Sequence, residues 1–404
     1  MKKIVQAWTG ISLVQRIVAG LVIGALLGMF VPSEGGIAIL GDVFVGALKA
    51  IAPLLVFFLV ISSLCYAGKS HGGVIRTVII MYMFSTFLAA IVAVTASSAF
   101  PVTLTLVDAA TDMAAPQGVA EVLRTLLMNV VTNPVQSLVS ANYIGILVWA
   151  VLIGIALRKA SDTTKQSLND ISAALSKTVT WIIQCAPFGI MGLVYNTVSV
   201  NGLSTFTEYG KLLAVLLGSM LFIYFVTNPI LVFWCIRKNP YPLIFKCLKK
   251  SAITAFFTRS SAANIPINME ACAEMGLDKD TYSVTIPLGA TINMDGAAIT
   301  ITVMTLAAAH TLGIAVDIPS AIILSILATL SACGASGVAG GSLLLIPMAC
   351  SLFGISNDIA MQIVGIGFII GVIQDSVETA LNSSSDLLLS ASAEFRQWRL
   401  EGKE

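Results

Sequence analysis

Residues 258–266 read Thr-Arg-Ser-Ser-Ala-Ala-Asn-Ile-Pro, inside an apolar segment, 252–270, that is flanked by Lys249 and Lys279. Basic residues collect on the cytoplasmic side of a membrane. A segment with lysines beyond both ends is therefore expected to enter the bilayer and return on the same side. Backbone that turns at membrane depth is tolerated only where it lines a protein cavity. The small residues at the tip let other backbone approach, and N–H groups at opposed helix ends favour an anion such as a carboxylate. Tight packing would explain the serines and alanines, but it has no need of Arg259.

Composition agrees with a membrane setting. The chain has 404 residues, 57% apolar and 11% charged, against about 25% charged in a soluble domain. That leaves too little charge to coat a soluble surface of this size. The net charge of +1, with no basic stripe, argues against a nucleic-acid partner. The seven scattered cysteines form no C-x-x-C and read as small buried residues. Two histidines, His71 and His310, are too few for a histidine-bound metal or an imidazole relay. The start, Met1-Lys2-Lys3 followed by an apolar run from Ile17, reads as an uncleaved first helix.

Runs long enough to cross, about 20 residues each, fall at 14–31, 43–67, 76–100, 135–157, 178–200 and 210–236. The last third has apolar segments at 252–270, 281–312, 318–352 and 357–392, interrupted by Gly, Ser, Asn and Asp. Of the 22 basic residues, 18 lie on every second connection, while the opposite connections carry Glu34, Asp42, Asp108, Asp112 and Glu121. Both termini are thus expected in the cytoplasm. If 252–270 returns to the inside, 281–312 crosses outward. The stretch 318–352 then re-enters from outside, and 357–392 brings the basic tail back in. The expected fold is an all-α integral membrane protein with eight transmembrane helices plus two re-entrant helical hairpins. Two interrupted hairpins entering from opposite sides point to a binding site at mid-membrane.

Charges inside apolar segments cost about 2.5–3.5 kcal/mol each on insertion scales and are functional by default. The last third carries Arg259, Asp295, Asp375, Glu378 and Asp386. The stretch Gly289-Ala290-Thr291-Ile292-Asn293-Met294-Asp295-Gly296 interrupts a helix with poor mid-helix residues. Unwinding there turns carbonyls inward, and carbonyls with carboxylates suit a hard alkali cation; a kink around a hydrogen-bonded Asp295 is the plainer alternative. The second hairpin holds Ser331-Ala332-Cys333-Gly334-Ala335-Ser336-Gly337-Val338-Ala339-Gly340-Gly341, which suggests a gate or, alternatively, a close-packed helix. On the last span Asp375, Glu378, Thr379, Asn382 and Asp386 share one helical face. Four carboxylates against one guanidinium suit a cation-coupled carrier of a zwitterion.

These motifs, in this order, resemble those of the dicarboxylate/amino acid:cation symporter family, the glutamate-transporter fold. The resemblance runs over nearly the whole chain and is densest from about 250 to 390. It implies inverted repeats and a homotrimer in membrane lipid. Residues 1–240 then form mainly scaffold and trimerisation helices, except the third span, about 76–100, which joins the transport domain. Residues 241–404 form the core of that domain: hairpin 1 (about 244–275), a seventh span (281–312), hairpin 2 (318–352) and an eighth span (357–394). The transport domain moves like an elevator. Position by position, Arg259, Ser260, Ser261, Val338, Asp375, Glu378, Thr379 and Asn382 match substrate-site positions. In that match Ser261 and Asn382 meet the substrate carboxylate and Asp375 its ammonium. For sodium, Gly289, Asn293, Asn382 and Asp386 match one site. Thr291, Met294, Ala332, Cys333 and Ala335 match a second, and Asp295 with Tyr82, Ser85 and Thr86 a third.

Three departures shape the expected substrate. Carriers of acidic amino acids have an arginine where this chain has Glu378, a threonine at Ala297 and a proline at Ala339. A glutamate repels a second carboxylate. The expectation is sodium-coupled symport of small neutral amino acids, serine and threonine, across a bacterial inner membrane. Two partners remain open to Glu378: the substrate hydroxyl, or Arg259 in an ion pair. The rival readings are an acidic amino-acid or dicarboxylate symporter, a channel, and an intramembrane hydrolase with Asp295 and Asp375 as a pair or Ser342 as nucleophile. Neither histidine lies near a polar cluster to activate such a serine, so a non-enzymatic role is expected.

Overall fold

The computed structural model describes residues 11–31, 36–66, 73–106, 128, 131–335 and 340–403. Among these the chain is all-helical, with no strand. The helices that matter below are α1 (Leu13–Phe30), α2 (Ala38–Tyr66), α3 (Gly73–Ala99), α4 (Pro134–Val139), α5 (Tyr143–Ala156), α6 (Asp162–Gln184), α7 (Ala186–Asn201), α8 (Thr205–Phe222) and α9 (Asn228–Ile236). They continue with α10 (Tyr241–Cys247), α11 (Ile253–Thr258), α12 (Ser261–Glu274), α13 (Lys279–Ile292), α14 (Asp295–Thr311), α15 (Ile318–Ala332), α16 (Ile346–Ser351) and α17 (Asn357–Leu400). Six helical stretches are long and apolar enough to cross a membrane, or seven if the bent pair α6–α7 counts as one.

Local chemistry sets the starts. Ser12 and Gln15 cap α1 reciprocally, each side chain accepting the other's backbone N–H. Asp278 caps α13 through the Thr281 N–H, and Asp317 caps α15 through the Ser320 N–H. Ser356 caps α17 through the Ile359 N–H. The long stretch Thr205–Ile236 stays continuous through a π turn at Ile223–Thr227, just ahead of Asn228-Pro229. Proline has no N–H to give the helical ladder, and a wider turn absorbs the gap. A second π turn, Leu248–Ala252, joins α10 to α11.

Two packed groups result. In the first, α1 lies along α7, and α2 contacts α5, α6 and α7. Gly20, Gly24 and Gly28 make the α1–α7 approach possible, since a Cβ on each would meet the carbonyls of Pro187, Met191 and Tyr195 at 2.1, 2.4 and 2.9 Å. In the second, α3, α8, α13, α14 and α15 surround α17 and one another. Packing places α8–α9 with this second group. Burial grades the same way. The α13–α14 stretch is 94% buried within the chain, whereas α1 is 22% buried. Neighbouring helices enclose α13–α14 almost wholly and cover α1 along one side only, so polar chemistry belongs on the former.

Two spans differ from expectation. The run at 178–200 is not one helix: α6 and α7 meet at Cys185 with a 55° bend. Polar residues give α6 a strongly one-sided face, and Pro187 opens α7. The run at 135–157 yields only the short α4 and the 14-residue α5.

Both interrupted segments turn back on themselves where described. Hairpin 1 is α11, a two-residue tip and α12, with Arg259 left-handed at φ 53°. Ser260, extended, caps α12 by accepting the Ala263 N–H at 3.2 Å. Hairpin 2 is α15, then a 3-10 turn at Ser342–Leu345 running into α16. The helix break between α13 and α14 falls at Asn293 and Met294, inside the quoted Gly289–Gly296 stretch. The hairpins meet their surroundings differently. Hairpin 2 rests on the first group, its turn against α2 and α16 against α5. Hairpin 1 packs on α13 and α17, with Ile253 and Phe257 exposed.

Candidate functional site

One face of α17 organises the site. Asp375, Glu378, Thr379, Asn382 and Asp386 are all buried along it. Three stations succeed one another.

At the first, the Arg259 Nε donates to Asp375 Oδ2 at 2.6 Å. Of the ion pairs between described residues this is the buried one, with side chains 11% and 4% exposed. The other carboxylate oxygen of Asp375 accepts the Gly340 N–H at 3.2 Å. Gly340 has φ +74°, a geometry that suits glycine, and this orientation aims its N–H at the acid. The two hairpins are thus tied to one carboxylate. Hairpin 1 is fixed further by Asn264, which donates to Ser251 Oγ and Ser383 Oγ at 2.9 and 2.8 Å. Asn268 donates to the Ser383 carbonyl at 2.9 Å.

At the second station, Glu378 does not meet Arg259. Its Oε2 accepts from Thr300 Oγ1 at 2.7 Å, Ser342 Oγ at 2.9 Å and Gln374 Nε2 at 2.5 Å. Of the two partners the sequence left open, the ion pair is therefore not formed. Nor are Asp295 and Asp375 an aspartyl dyad, since they bond to different partners. Ser342, the hydrolase candidate, spends its proton on Glu378.

At the third station, Asn293 donates to Asp386 Oδ1 at 2.9 Å and to Ser385 Oγ at 2.8 Å. The Asn293 Oδ1 is buried with no hydrogen-bond partner among the described residues. An orphaned amide oxygen beside a carboxylate without a cationic side chain is a donor set for a hard cation. Asn382 accepts the Gly296 N–H at 2.7 Å, which anchors the start of α14.

Asp295, the first residue of α14, accepts from Ser85 Oγ at 2.9 Å and Thr86 Oγ1 at 3.2 Å. These three gather as the sequence suggested. Tyr82 does not join them. Its hydroxyl meets Ser390 Oγ at 2.7 Å and donates to the Asp386 carbonyl at 3.0 Å. Tyr82 lies about one helical turn before Ser85 and Thr86 on α3, and its hydroxyl belongs to the third station. Of the residues matched to the second sodium site, Cys333 Sγ reaches the Ile292 carbonyl at 3.6 Å, so hairpin 2 meets the helix break. Ala332, Ala335 and Met294 are buried there, whereas Thr291 is exposed and bonds only to the Leu288 carbonyl at 2.7 Å. Ser261 and Thr379 are buried, at 4% and 6% exposure. Val338 lies outside the described residues.

Sequence reading missed Gln374, Thr300, Asn228, Ser385 and the Asn264–Asn268 ladder. Gln374 is four residues before Glu378, on the polar face already picked out, so helical spacing was signal enough. Asn228 accepts from Ser85 at 3.3 Å and sits just after the π turn, a feature no periodicity foretells.

The chain matches the sodium:dicarboxylate symporter family over residues 13–394. A serine/threonine transporter of Streptococcus thermophilus is 56% identical over 400 residues, covering 99% of this chain and 100% of that protein. One of Bifidobacterium adolescentis is 55% identical over 405 residues, covering 100% and 94%. One of Streptococcus agalactiae is 57% identical over 395 residues, covering 98% of each.

Proposed function

The chain belongs to the sodium:dicarboxylate symporter family, and from that premise we propose that it is a sodium-coupled symporter carrying serine and threonine into a bacterial cell. The relatives' names support the substrate class. The observation that carries the reading is Glu378: a carboxyl group is buried where carriers of acidic amino acids have arginine. A dicarboxylate substrate would set carboxylate against carboxylate in a medium of low dielectric.

In this reading the substrate's ammonium shares Asp375 with Arg259, and its carboxylate meets the hairpin 1 tip at Ser260 and Ser261, with Asn382 beside it. Thr379 and Val338 line the same space. Sodium takes the Asp386–Asn293–Gly289 station with Asn382. Further sites lie at Asp295 with Ser85 and Thr86, and at the carbonyls of Thr291, Met294, Ala332, Cys333 and Ala335. Tyr82 then serves the Asp386 station.

The proposed architecture is eight spans and two re-entrant hairpins, with both termini cytoplasmic, assembled as a homotrimer in the plasma membrane. The moving unit is the second packed group, α3, α8–α9 and everything after residue 240, which slides as an elevator along the first. Hairpin 2 resting on the first group while hairpin 1 leaves Phe257 exposed supports an inward-facing arrangement. One sodium ion moving down ~100 mV contributes about 2.3 kcal/mol, and a tenfold gradient adds about 1.4 kcal/mol. Their sum, ~3.7 kcal/mol, supports roughly 400-fold accumulation per ion.

The test is uptake of labelled serine into proteoliposomes under sodium, potassium and proton gradients. Sodium-driven uptake blocked by threonine and not by aspartate is expected. Uptake blocked by aspartate would overturn the substrate, and uptake driven by protons alone would overturn the ion.

A further inference from the structure

The three donors on Glu378 come from three separate elements. Thr300 is on α14, Ser342 is in the 3-10 turn of hairpin 2, and Gln374 is one turn earlier on α17. All are buried, Thr300 and Gln374 completely. Their protons can be assigned. The Gln374 amide nitrogen only donates, and it reaches both Glu378 Oε2, at 2.5 Å, and Thr300 Oγ1, at 2.7 Å. Thr300 accepts from Gln374 and has one proton left, which goes to Oε2. Ser342 supplies the third. Turning the Gln374 amide over would set its oxygen against the carboxylate. The cradle holds the amide in this orientation even though it leaves Gln374 Oε1 buried with no partner among the described residues.

So much donation onto one oxygen fixes the acid. Oε2 is purely an acceptor and faces the cradle; Oε1 takes none of the three donors. Glu378 stands one helical turn from Asp375, about 5–6 Å between Cβ atoms, which is the reach of an amino acid with a short side chain. Building on the symport reading above, we propose that Thr300, Ser342 and Gln374 are positioning residues. They hold Glu378 in one rotamer with Oε1 toward the substrate, where it accepts the side-chain hydroxyl of serine or threonine. The preference for hydroxy amino acids over alanine then resides in the cradle as well as in the acid. A site built to pair a hydroxyl is left with an unpaired polar group by an analogue lacking one, and it discriminates against that analogue strongly.

The cradle also dictates what amidation does. In Glu378→Gln the side-chain oxygen must take the Oε2 position to satisfy three donors. The amide NH2 is then forced into the Oε1 position. The substrate-facing atom changes from acceptor to donor, although the shape is kept.

The experiment measures inhibition of labelled serine uptake by unlabelled serine, threonine and alanine in proteoliposomes of full-length protein. Serine-induced and alanine-induced thermal stabilisation of the purified protein is measured beside it, because that readout needs no turnover. The unaltered protein should favour serine over alanine by on the order of tenfold or more. Thr300→Val, Ser342→Ala and Gln374→Leu should each weaken serine several-fold more than alanine, so that the serine-to-alanine ratio falls. Thr300→Ser, which keeps the hydroxyl, should restore the serine preference. Glu378→Gln should narrow the serine preference without abolishing it, because the serine hydroxyl can accept from the new N–H but no longer donates to a carboxylate. A serine-to-alanine ratio that stays put in all three cradle variants, by either readout, overturns the proposal. So does a ratio that falls as far in Thr300→Ser as in Thr300→Val. Absence of sodium-driven serine uptake by the unaltered protein would instead overturn the symport reading, which keeps the two failures apart.

Discussion

Asp375 and Asp386 lie eleven residues apart on the same face of α17, about 16 Å along the helix, yet their surroundings are opposite. Asp375 has a guanidinium at 2.6 Å and a backbone N–H from the other hairpin. Asp386 has an amide at 2.9 Å and, among the described residues, a nearby amide oxygen without a partner and no cationic side chain. A buried carboxylate needs a positive partner. The first acid has one supplied by the protein. The second has none among the described residues, which fits the proposed sodium site there. The difference teaches how one helix divides the work: the proposed substrate is read at the end where the hairpins converge, the proposed sodium at the end where α13 breaks.

Neutralising Asp386 should have the largest effect. Removing a ligand outright should exceed the 10–100-fold loss typical of outer-shell changes, so Asp386→Asn should lower sodium affinity by at least ~100-fold, read from the sodium dependence of uptake. Next is Arg259→Ala. Stripping the partner from a buried charge costs about 3–5 kcal/mol, and a lowered melting temperature in detergent is expected. Sodium-induced stabilisation should survive in whatever folds. Smaller again is Asn264→Ala, which removes the amide bridging Ser251 and Ser383 and should cost about 1–3 kcal/mol. Proteolysis near hairpin 1 should rise with it, while substrate selectivity stays. The smallest effect belongs to Lys49→Ala. Lys49 on α2 pairs with Asp358 at the start of α17, across the two packed groups, with both side chains well exposed. Such pairs contribute at most about 1 kcal/mol. Uptake rates should change a few-fold at low ionic strength and converge with the unaltered protein at high salt.

Much of this was legible in the sequence because membrane insertion makes its signals coarse. Lysines beyond both ends of 252–270 announced a hairpin, and a left-handed Arg259 sits at its tip. The stretch Gly289–Gly296 announced a broken helix, and the break falls inside it at Asn293 and Met294. The polar stripe on α17 followed from helical spacing alone. Tertiary detail was not legible. Whether Glu378 faces Arg259 or a cradle depends on which α14 residue lies opposite, and Thr300 is one of several threonines there. The partners of the Tyr82 hydroxyl, Ser390 and the Asp386 carbonyl, were not legible either, because spacing on α3 locates a Cα and not the end of a long side chain. The bend at Cys185 and the π turns at 223–227 and 248–252 leave no mark in a hydropathy profile.

The division of labour along α17 is tested most directly by sodium-induced thermal stabilisation of purified Asp375→Asn and Asp386→Asn, each with and without serine. A ligand that binds the folded state raises its melting temperature by mass action. The account predicts that Asp375→Asn keeps the response to sodium and loses the response to serine. Asp386→Asn should need at least ~100-fold more sodium for the same stabilisation. Sodium stabilising Asp386→Asn as it does the unaltered protein, or failing to stabilise Asp375→Asn, would contradict it.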